Sequence, residues 1–456
     1  MSTTRRRSRR RRLVALSLAV GLIVAACSSD DDSGTGSTDT TTASSATGDL
    51  GQNVPVDEPG VTDSAINFSV LGTETGNPFG TCLLQCFTDG IEAYFEYRNS
   101  ESDGIYGREL KATRIVDDEF SKNQEKALEI IAADDTFATF SQANLATGWA
   151  DLASEGIPLY VWNIEPSYVV EQESIFGNSP VFCQTCTSRP QAYAMQQADI
   201  TKLASVGYGV SDSSKKCAQS SRDTANTYGP EIGGAENVYF NDDMQFGFPN
   251  GVAPEITAMK EAGADGLNAC IENTGYNTLL EEAEKQGLSM RSLLPNAYNA
   301  EYMSTQGGLF DGSIVTVSFR PLEATHIPIQ DKYLEYMEKL DKTSSELAVI
   351  GWINASLAYE GLVAAGPEFS REKVIDATNQ FTDFTADGWT IPVDWTKGHT
   401  APTAATISET GQKYQCGAFV KVVDNEFQIV GDPDKPFACW PGTTLEWSTP
   451  ESMSFD

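Results

Sequence analysis

The chain has 456 residues, with 64 acidic and 31 basic side chains and a formal net charge of −33. A surface this acidic repels the phosphate backbone, so we expect no nucleic-acid partner. Charge alone excludes little else, because acidic surfaces suit many soluble proteins.

The first 27 residues have the features of an export signal. Seven arginines precede an apolar stretch over residues 13–24, and small residues then lead to Cys27. About a dozen apolar residues are too few for a membrane-spanning helix, which needs about 20, so residues 1–26 are predicted to be a signal peptide. A cysteine directly after the cleavage site indicates a lipobox. Lipid on Cys27 would then anchor the protein to the outer face of a bacterial cell membrane, outside the cytoplasm.

Two points about export stay open. Cys27 can also be incidental to an ordinary secretory cleavage, and either the general or the twin-arginine exporter can recognise the arginine cluster. Residues 27–60 are rich in Ser, Thr, Gly and Asp, and we expect this lipidated, disordered linker to hold the folded part away from the membrane. The remaining residues exceed what one core usually holds, so two domains are predicted.

Short apolar strands alternate with longer amphipathic helices along the folded part. This alternation predicts an α/β fold in which βαβ units build parallel sheets. The first series has strands at 66–71, 110–116, 137–140 and 157–162, with helices at 79–97, 123–133 and 147–154. The second series has strands at 206–210, 237–240, 266–271 and 289–294, with helices at 191–204, 215–226, 253–262 and 277–286. Two series indicate two doubly wound lobes, and a hairpin is predicted at 418–430.

Eight cysteines follow Cys27, in a compartment where disulfides persist. Cys416 and Cys439 flank the predicted hairpin and can pair across it. Cys217 and Cys270 follow two strands that can be neighbours, so they are the second predicted pair. The four others, Cys82, Cys86, Cys183 and Cys186, are predicted to form two disulfides, either local or crossed. Zinc binding and a redox motif are the alternatives for these four.

Several segments resemble the type I periplasmic binding proteins of the leucine/isoleucine/valine-binding family. They are GTETGNPFG at 72–80, GIEA at 90–93, ASEGIPL at 153–159, ITAMKEAGAD at 256–265 and LLEEAEKQGL at 279–288. Each motif is short, and their order from about residue 61 to the C-terminus carries the resemblance.

The resemblance implies two lobes joined by a three-strand hinge, with a small solute bound between them and delivered to an ABC transporter permease. The crossings would fall near residues 183, 297 and 384. Lobe 1 would then be 61–183 plus 298–384, and lobe 2 would be 184–297 plus 385–456. Such a protein is expected to be a monomer with no cofactor, no metal and no enzymatic activity.

Ligand contacts are expected where strands end, because doubly wound sheets bind ligands at the carboxyl ends of their strands. A helix cap or a turn is the competing role for most of these residues. The candidates are Asn77, Phe79, Gln142, Asn144, Trp162, Asn163 and Glu165 in lobe 1, and Asp212, Glu272 and Tyr298 in lobe 2.

This chain departs from the amino-acid binders of the family. Glu165 stands where a threonine would meet the carboxylate of an amino acid, and Gly275 stands where a glutamate would meet its ammonium. A carboxylate disfavours an anion beside it. A neutral or cationic polar solute therefore fits better, with an apolar part against Phe79, Trp149 or Trp162. A conventional site, with Glu165 turned away, is the alternative.

Two other functions stay open. A ligand-sensing receptor lobe without transport would use the same clamp. A secreted hydrolase would need a carboxylate pair such as Asp117/Asp118 or Asp242/Asp243, and such doublets are usually solvated turns. No nucleophile elbow, phosphate-binding loop or zinc-protease motif is present in the sequence.

Overall fold

The computed structural model describes residues 52–162 and 166–456. The predicted signal peptide, Cys27 and most of the linker lie outside these residues, as do the candidates Asn163 and Glu165.

The described residues form fourteen strands and eleven α-helices. The strands are β1 Ala65–Gly72, β2 Glu109–Asp117, β3 Ala138–Gln142, β4 Leu159–Val161, β5 Ile175–Gly177, β6 Lys202–Tyr208, β7 Glu236–Met244, β8 Gly266–Cys270, β9 Arg291–Leu294, β10 Ile314–Val317, β11 Tyr414–Val423, β12 Glu426–Ile429, β13 Phe437–Pro441 and β14 Glu451–Met453. The helices are α1 Leu84–Ser102, α2 Asn123–Ala133, α3 Trp149–Ser154, α4 Arg189–Gln197, α5 Asp212–Tyr228, α6 Ala253–Ala262, α7 Asn273–Lys285, α8 Ala300–Ser304, α9 Pro328–Lys339, α10 Glu346–Ala365 and α11 Arg371–Thr378.

The first sheet is fully parallel, with the strand order β2-β1-β3-β4-β5. Strands β3, β4 and β5 are buried at every residue, whereas the edge strand β2 alternates between exposed and buried positions. Full burial is expected where helices cover both faces of a parallel sheet. The buried polar residues of β3 face neighbouring elements too, and Ser69 of β1 and Thr139 of β3 share a hydrogen bond at 2.8 Å.

The second sheet begins with five parallel strands in the order β7-β6-β8-β9-β10. Strand β11 then pairs antiparallel with β10, and β12, β13 and β14 extend this antiparallel edge. The predicted α/β architecture and hairpin are therefore confirmed.

Three details of the prediction need correction. The helix expected at 191–204 ends at Gln197, because β6 begins at Lys202. The helix expected from residue 79 begins at Leu84, after a loop that carries Phe79. The segment 298–384 is divided, because β10 joins the second sheet while α9 and α10 pack on α1 beside the first. The chain therefore crosses between the sheets after β10 and not near residue 297.

Helix α10 forms the centre of the first lobe. It packs on α1 at a close crossing, where a Cβ on Gly90 would lie 1.8 Å from the carbonyl oxygen of Ala348. Glycine is required there because the two backbones nearly touch. Among the described helices, α10 alone is long and apolar enough to span a membrane, but 83% of its apolar window is buried inside the protein. This degree of burial is typical of the core helix of a globular protein.

The eight described cysteines form four disulfides: Cys82–Cys86, Cys183–Cys186, Cys217–Cys270 and Cys416–Cys439. The two predicted pairs are confirmed, and the other four cysteines pair locally. Strands β6 and β8 are neighbours with Gly207 opposite Cys270, as the Cys217–Cys270 pairing requires. No cluster of metal-binding side chains occurs among the residues that the structure describes.

Candidate functional site

The candidate site is a cleft where loops from the two sheets meet. The loop after β1 contacts the first turn of α7, where the Thr274 hydroxyl donates a hydrogen bond to the carbonyl oxygen of Pro78. The ring of Phe120, after β2, stacks on that of Phe246, after β7, with centroids 6.5 Å apart. Both contacts join loops at the carboxyl ends of parallel strands, which is the expected ligand position in such sheets.

Two aromatic candidates of the first lobe lie together in this cleft. Phe79 and Trp162 make an edge contact, with ring centroids 6.1 Å apart. They line a pocket whose other walls come from the loop before α1, the loop after β9 and the start of α10. The lining residues are Phe79, Thr81, Cys82, Leu83, Trp162, Asn296, Asn299, Ser345, Glu346 and Leu347.

Glu346 brings a carboxylate into this pocket. Its Oε2 accepts a hydrogen bond from the backbone N–H of Tyr298 at 3.0 Å, and its own N–H donates to the carbonyl of Tyr298 at 2.9 Å. Burial raises the pKa of Glu346 from 4.5 to about 7, because the low-polarity surroundings disfavour the charged form. The pocket therefore holds an acid whose charge is easily changed near neutral pH.

A second carboxylate lies on the second lobe. Glu272 follows β8, and its Oε1 accepts a hydrogen bond from the Tyr208 hydroxyl at 2.9 Å. Burial raises the pKa of Glu272 as well, against the opposing effect of this hydrogen bond. The Tyr208 ring contacts Phe246 and Phe248, with centroids 5.2 Å and 5.7 Å away. This face of the cleft thus combines one acid with three aromatic rings.

The amides predicted after β3 are buried beneath the cleft loops. Gln142 accepts a hydrogen bond from the Thr73 N–H at 3.2 Å, and its own amide donates to Asn144 at 3.4 Å. The amide nitrogen of Asn144 is buried, and none of the described residues accepts a hydrogen bond from it. A buried donor without a partner is costly, so an acceptor on a bound solute would stabilise Asn144.

Four other candidates are occupied by protein contacts. Asn77 bonds to Phe79 and Thr81 within its own turn. Asp212 is largely exposed and pairs with Lys216 one turn along α5. The Tyr298 hydroxyl donates to Glu323 at 2.6 Å, and its ring stacks on Phe427. Trp149 is fully buried and donates to Ser141, so the expectation that it stacks on a ligand is wrong.

The Asp117/Asp118 doublet is engaged in hydrogen bonds that hold the turns after β1 and β2. Asp117 accepts hydrogen bonds from the backbone of Glu74 and Thr75, which fixes the turn after β1. Asp118 is fully buried and accepts from Thr73, Asn123 and the Phe120 N–H. These contacts give both residues structural roles.

Sequence reasoning missed the pocket residues that follow no predicted strand end. Glu346 lies at the start of α10, where Ser345 caps the helix by accepting a hydrogen bond from the Ala348 N–H. A serine before an acidic residue and a long apolar run is a helix-start signal. This signal could have located the helix, but not its position beside Phe79 and Trp162.

Two disulfides fix the loops that carry these groups. Cys82–Cys86 closes the first turn of α1, directly after the loop that holds Phe79. Cys217–Cys270 ties α5 to the end of β8, two residues before Glu272. Both faces of the cleft are therefore constrained covalently next to a candidate contact.

The chain belongs to the periplasmic binding protein family, whose sequence profile matches residues 65–426. The family comprises solute-binding proteins and not enzymes. The match and the two-sheet fold confirm the resemblance seen in the sequence. No curated protein matches the chain.

Solved structures of ABC transporter binding proteins share the fold. A leucine-binding protein from Thermotoga maritima is 13% identical with a TM-score of 0.63, and the match covers 80% of this chain and 98% of that one. A fatty acid ABC transporter substrate-binding protein from Thermomonospora curvata is 17% identical with a TM-score of 0.63, covering 87% and 98%. A solute-binding protein from R. palustris in complex with 4-hydroxybenzoate is 16% identical with a TM-score of 0.60, covering 80% and 96%.

The raised pKa of Glu346 predicts how the empty protein responds to pH. The unfolded chain releases this proton near pH 4.5 and the folded protein near pH 7, so the folded state binds more protons between these values. The free energy of unfolding therefore falls as pH rises through this window. Glu346→Gln removes the titration and keeps an oxygen for the Tyr298 N–H. We expect the variant to be more stable than wild type at pH 8, by on the order of 1 kcal/mol, with a much smaller difference at pH 5.

Thermal melting at pH 5, 6, 7 and 8 checks this expectation. Glu301→Gln, an exposed site in α8, is the matched control and should follow wild type. A constant difference in Tm between Glu346→Gln and wild type at all four pH values would contradict the assignment.

Proposed function

We propose that the protein is an extracytoplasmic solute-binding lipoprotein. Lipid on Cys27 tethers it to the outer face of the cell membrane, and the Ser-, Thr-, Gly- and Asp-rich segment that follows Cys27 links this lipid to the folded part. It captures a small polar solute, such as an amino acid, an amide or a related compound, between two lobes. It then delivers this solute to an ABC transporter permease.

The contact between the lobes at the cleft is the observation that carries this proposal. Pro78 and Thr274 touch, and each lies within two residues of a candidate contact, Phe79 and Glu272 respectively. A solute held beside them would therefore meet both lobes. A solute that contacts both lobes binds the closed arrangement more tightly than the open one. It therefore shifts the equilibrium between open and closed lobes toward the closed state.

The proposed lobes follow the sheets. Lobe 1 comprises residues 61–183 plus about 318–384, and lobe 2 comprises about 184–317 plus 385–456. The proposed ligand contacts are Phe79, Gln142, Asn144, Trp162 and Glu272, together with Asn163 and Glu165. The three solved relatives are named for leucine, a fatty acid and 4-hydroxybenzoate. The fold thus serves chemically different solutes, and the side chains of the cleft must decide which one is bound.

A thermal-shift screen of the full chain tests the proposal. The panel contains amino acids, amides, polyamines, urea and small aromatic acids. A ligand that binds only the folded state adds about 2.7 kcal/mol at one hundred times its dissociation constant, so one class should raise Tm clearly. Deletion of the gene should also abolish uptake of that solute. Saturating binding without loss of uptake would argue for a sensor, and chemical turnover of the solute would argue for an enzyme.

Closure is tested at two glycines of the loop after β1. Gly80 and Gly76 have φ of +72° and +76°, so alanine strains both backbones to a similar extent. A Cβ on Gly80 would lie 2.9 Å from Thr274 Cγ2 in the other lobe, whereas one on Gly76 would come no nearer than 3.5 Å to any atom. We expect Gly80→Ala to weaken solute binding roughly tenfold more than Gly76→Ala, because the added methyl group opposes the approach of the two lobes. Equal affinities of the two variants would show that this contact plays no part in binding.

Lipidation is tested by labelling growing cells with radioactive palmitate. The protein should incorporate the label, and Cys27→Ser should abolish it because the thiol that carries the lipid is absent. Cys183→Ser, which removes a disulfide-bonded cysteine of the folded part, should leave the labelling intact. Label retained in Cys27→Ser, or absent from wild type, would contradict a lipid anchor at this residue.

A further inference from the structure

We infer that the Phe79–Trp162–Glu346 pocket selects a cationic solute, an ammonium or amidinium group carried on a small apolar body, and that Glu346 sets this preference. The inference rests on the proposed function and names the class of solute for the same cleft. Glu346 lies at the start of α10. It is distinct from Glu165 and Glu272, the glutamates that the sequence predicts near the cleft.

The described lining of the pocket carries an acidic side chain and no basic one. Glu346 is the single charged side chain among the described residues that line it, and no lysine or arginine is among them. Its Oε2 is fixed by the Tyr298 N–H, and no partner among the described residues binds Oε1. A carboxylate held in place with one free oxygen is suited to accept a hydrogen bond from a charged N–H group.

An anion would find few donors at the start of α10. A helix N-terminus commonly binds anions through its free N–H groups. Here the N–H of Glu346 donates to the Tyr298 carbonyl, and those of Ala348 and Val349 donate to the side chain and backbone of Ser345. The protein thus occupies these donors, and the carboxylate of Glu346 repels a second anion.

The pocket has a volume of about 20 Å³, which is room for a group the size of a water molecule or an ammonium, so the apolar body of the solute would lie at its mouth. Phe79 and Trp162 contribute aromatic side chains to its wall, which cover apolar surface. Asn296 and Asn299 add neutral polar groups. A cation also stabilises the ionised form of Glu346, which burial in the empty pocket disfavours.

Two sets of matched probes test the inference by isothermal titration of the full chain. Phenethylamine, phenylacetamide and phenylacetate share a ring and differ in charge. Isopentylamine, 3-methylbutanamide and 3-methylbutanoate share an aliphatic body and differ in charge in the same way. We expect the amine of at least one set to bind at least tenfold more tightly than its amide and its acid. Glu346→Gln should weaken the amine tenfold to a hundredfold and change the amide less than threefold.

Three controls separate charge recognition from a structural role. Glu346→Asp keeps the charge and should keep the preference for the amine. Glu323→Gln removes a carboxylate that binds the hydroxyl end of Tyr298 and does not line the pocket, and it should also keep the preference. In wild type the amine should bind about tenfold more weakly at pH 6 than at pH 8, since protons compete for Glu346, while amide binding stays constant.

Each remaining outcome overturns the inference. Tighter binding of an acid or an amide, or an undiminished preference for the amine in Glu346→Gln, shows that Glu346 does not select charge. If none of the six probes binds while the thermal-shift screen finds another solute, the inference fails and the proposed function stands. If no solute in either panel binds, both fail.

Discussion

Polar contacts gain strength when water leaves the space around them, and the two-lobed cleft depends on this effect. In bulk water, charges and hydrogen bonds between a protein and a small solute add little net free energy, because water competes for the same groups. Between two lobes the same groups act in a less polar medium, so a few well-placed contacts suffice. Burial already places Glu272 and Glu346 in such a medium, which raises the pKa of each.

Strand order, disulfides and helix packing keep these groups in position. Parallel strands bring the loops of each lobe to one edge, and the disulfides Cys82–Cys86 and Cys217–Cys270 anchor loops on opposite faces of the cleft. The close crossing of α1 and α10 at Gly90 fixes the position of the α10 start, and thus of Glu346, relative to the Phe79 loop. Packing far from the solute therefore determines the geometry beside it.

Local patterns predicted the fold where each element has one clear face. Helices α2 and α6 match their predicted bounds, because their apolar residues recur on one side and their ends are marked in the sequence. Helix α10 was not predicted, because it is buried on nearly all sides and lacks the alternation of polar and apolar residues that marks an amphipathic helix. Strand β10 was missed because its four residues are too few to show a period.

The site was predictable only in part, because some of its residues follow strand ends whereas others are brought in by tertiary packing. Phe79 and Trp162 follow strand ends, and the rule that parallel strands share a carboxyl edge brings them together. Tyr298 and Asp212 also follow strands, but their own neighbours Glu323 and Lys216 occupy their side chains. Glu346 is distant in sequence from Phe79 and Trp162, so its place beside them follows from tertiary packing alone.

Capture between two lobes is best tested by a crystal structure of the protein with the solute that most raises its Tm. We expect the solute between the lobes, in contact with Phe79 or Trp162 on one side and with the Tyr208–Glu272 face on the other. A solute bound to one lobe alone, or at a surface away from the cleft, would contradict capture between two lobes.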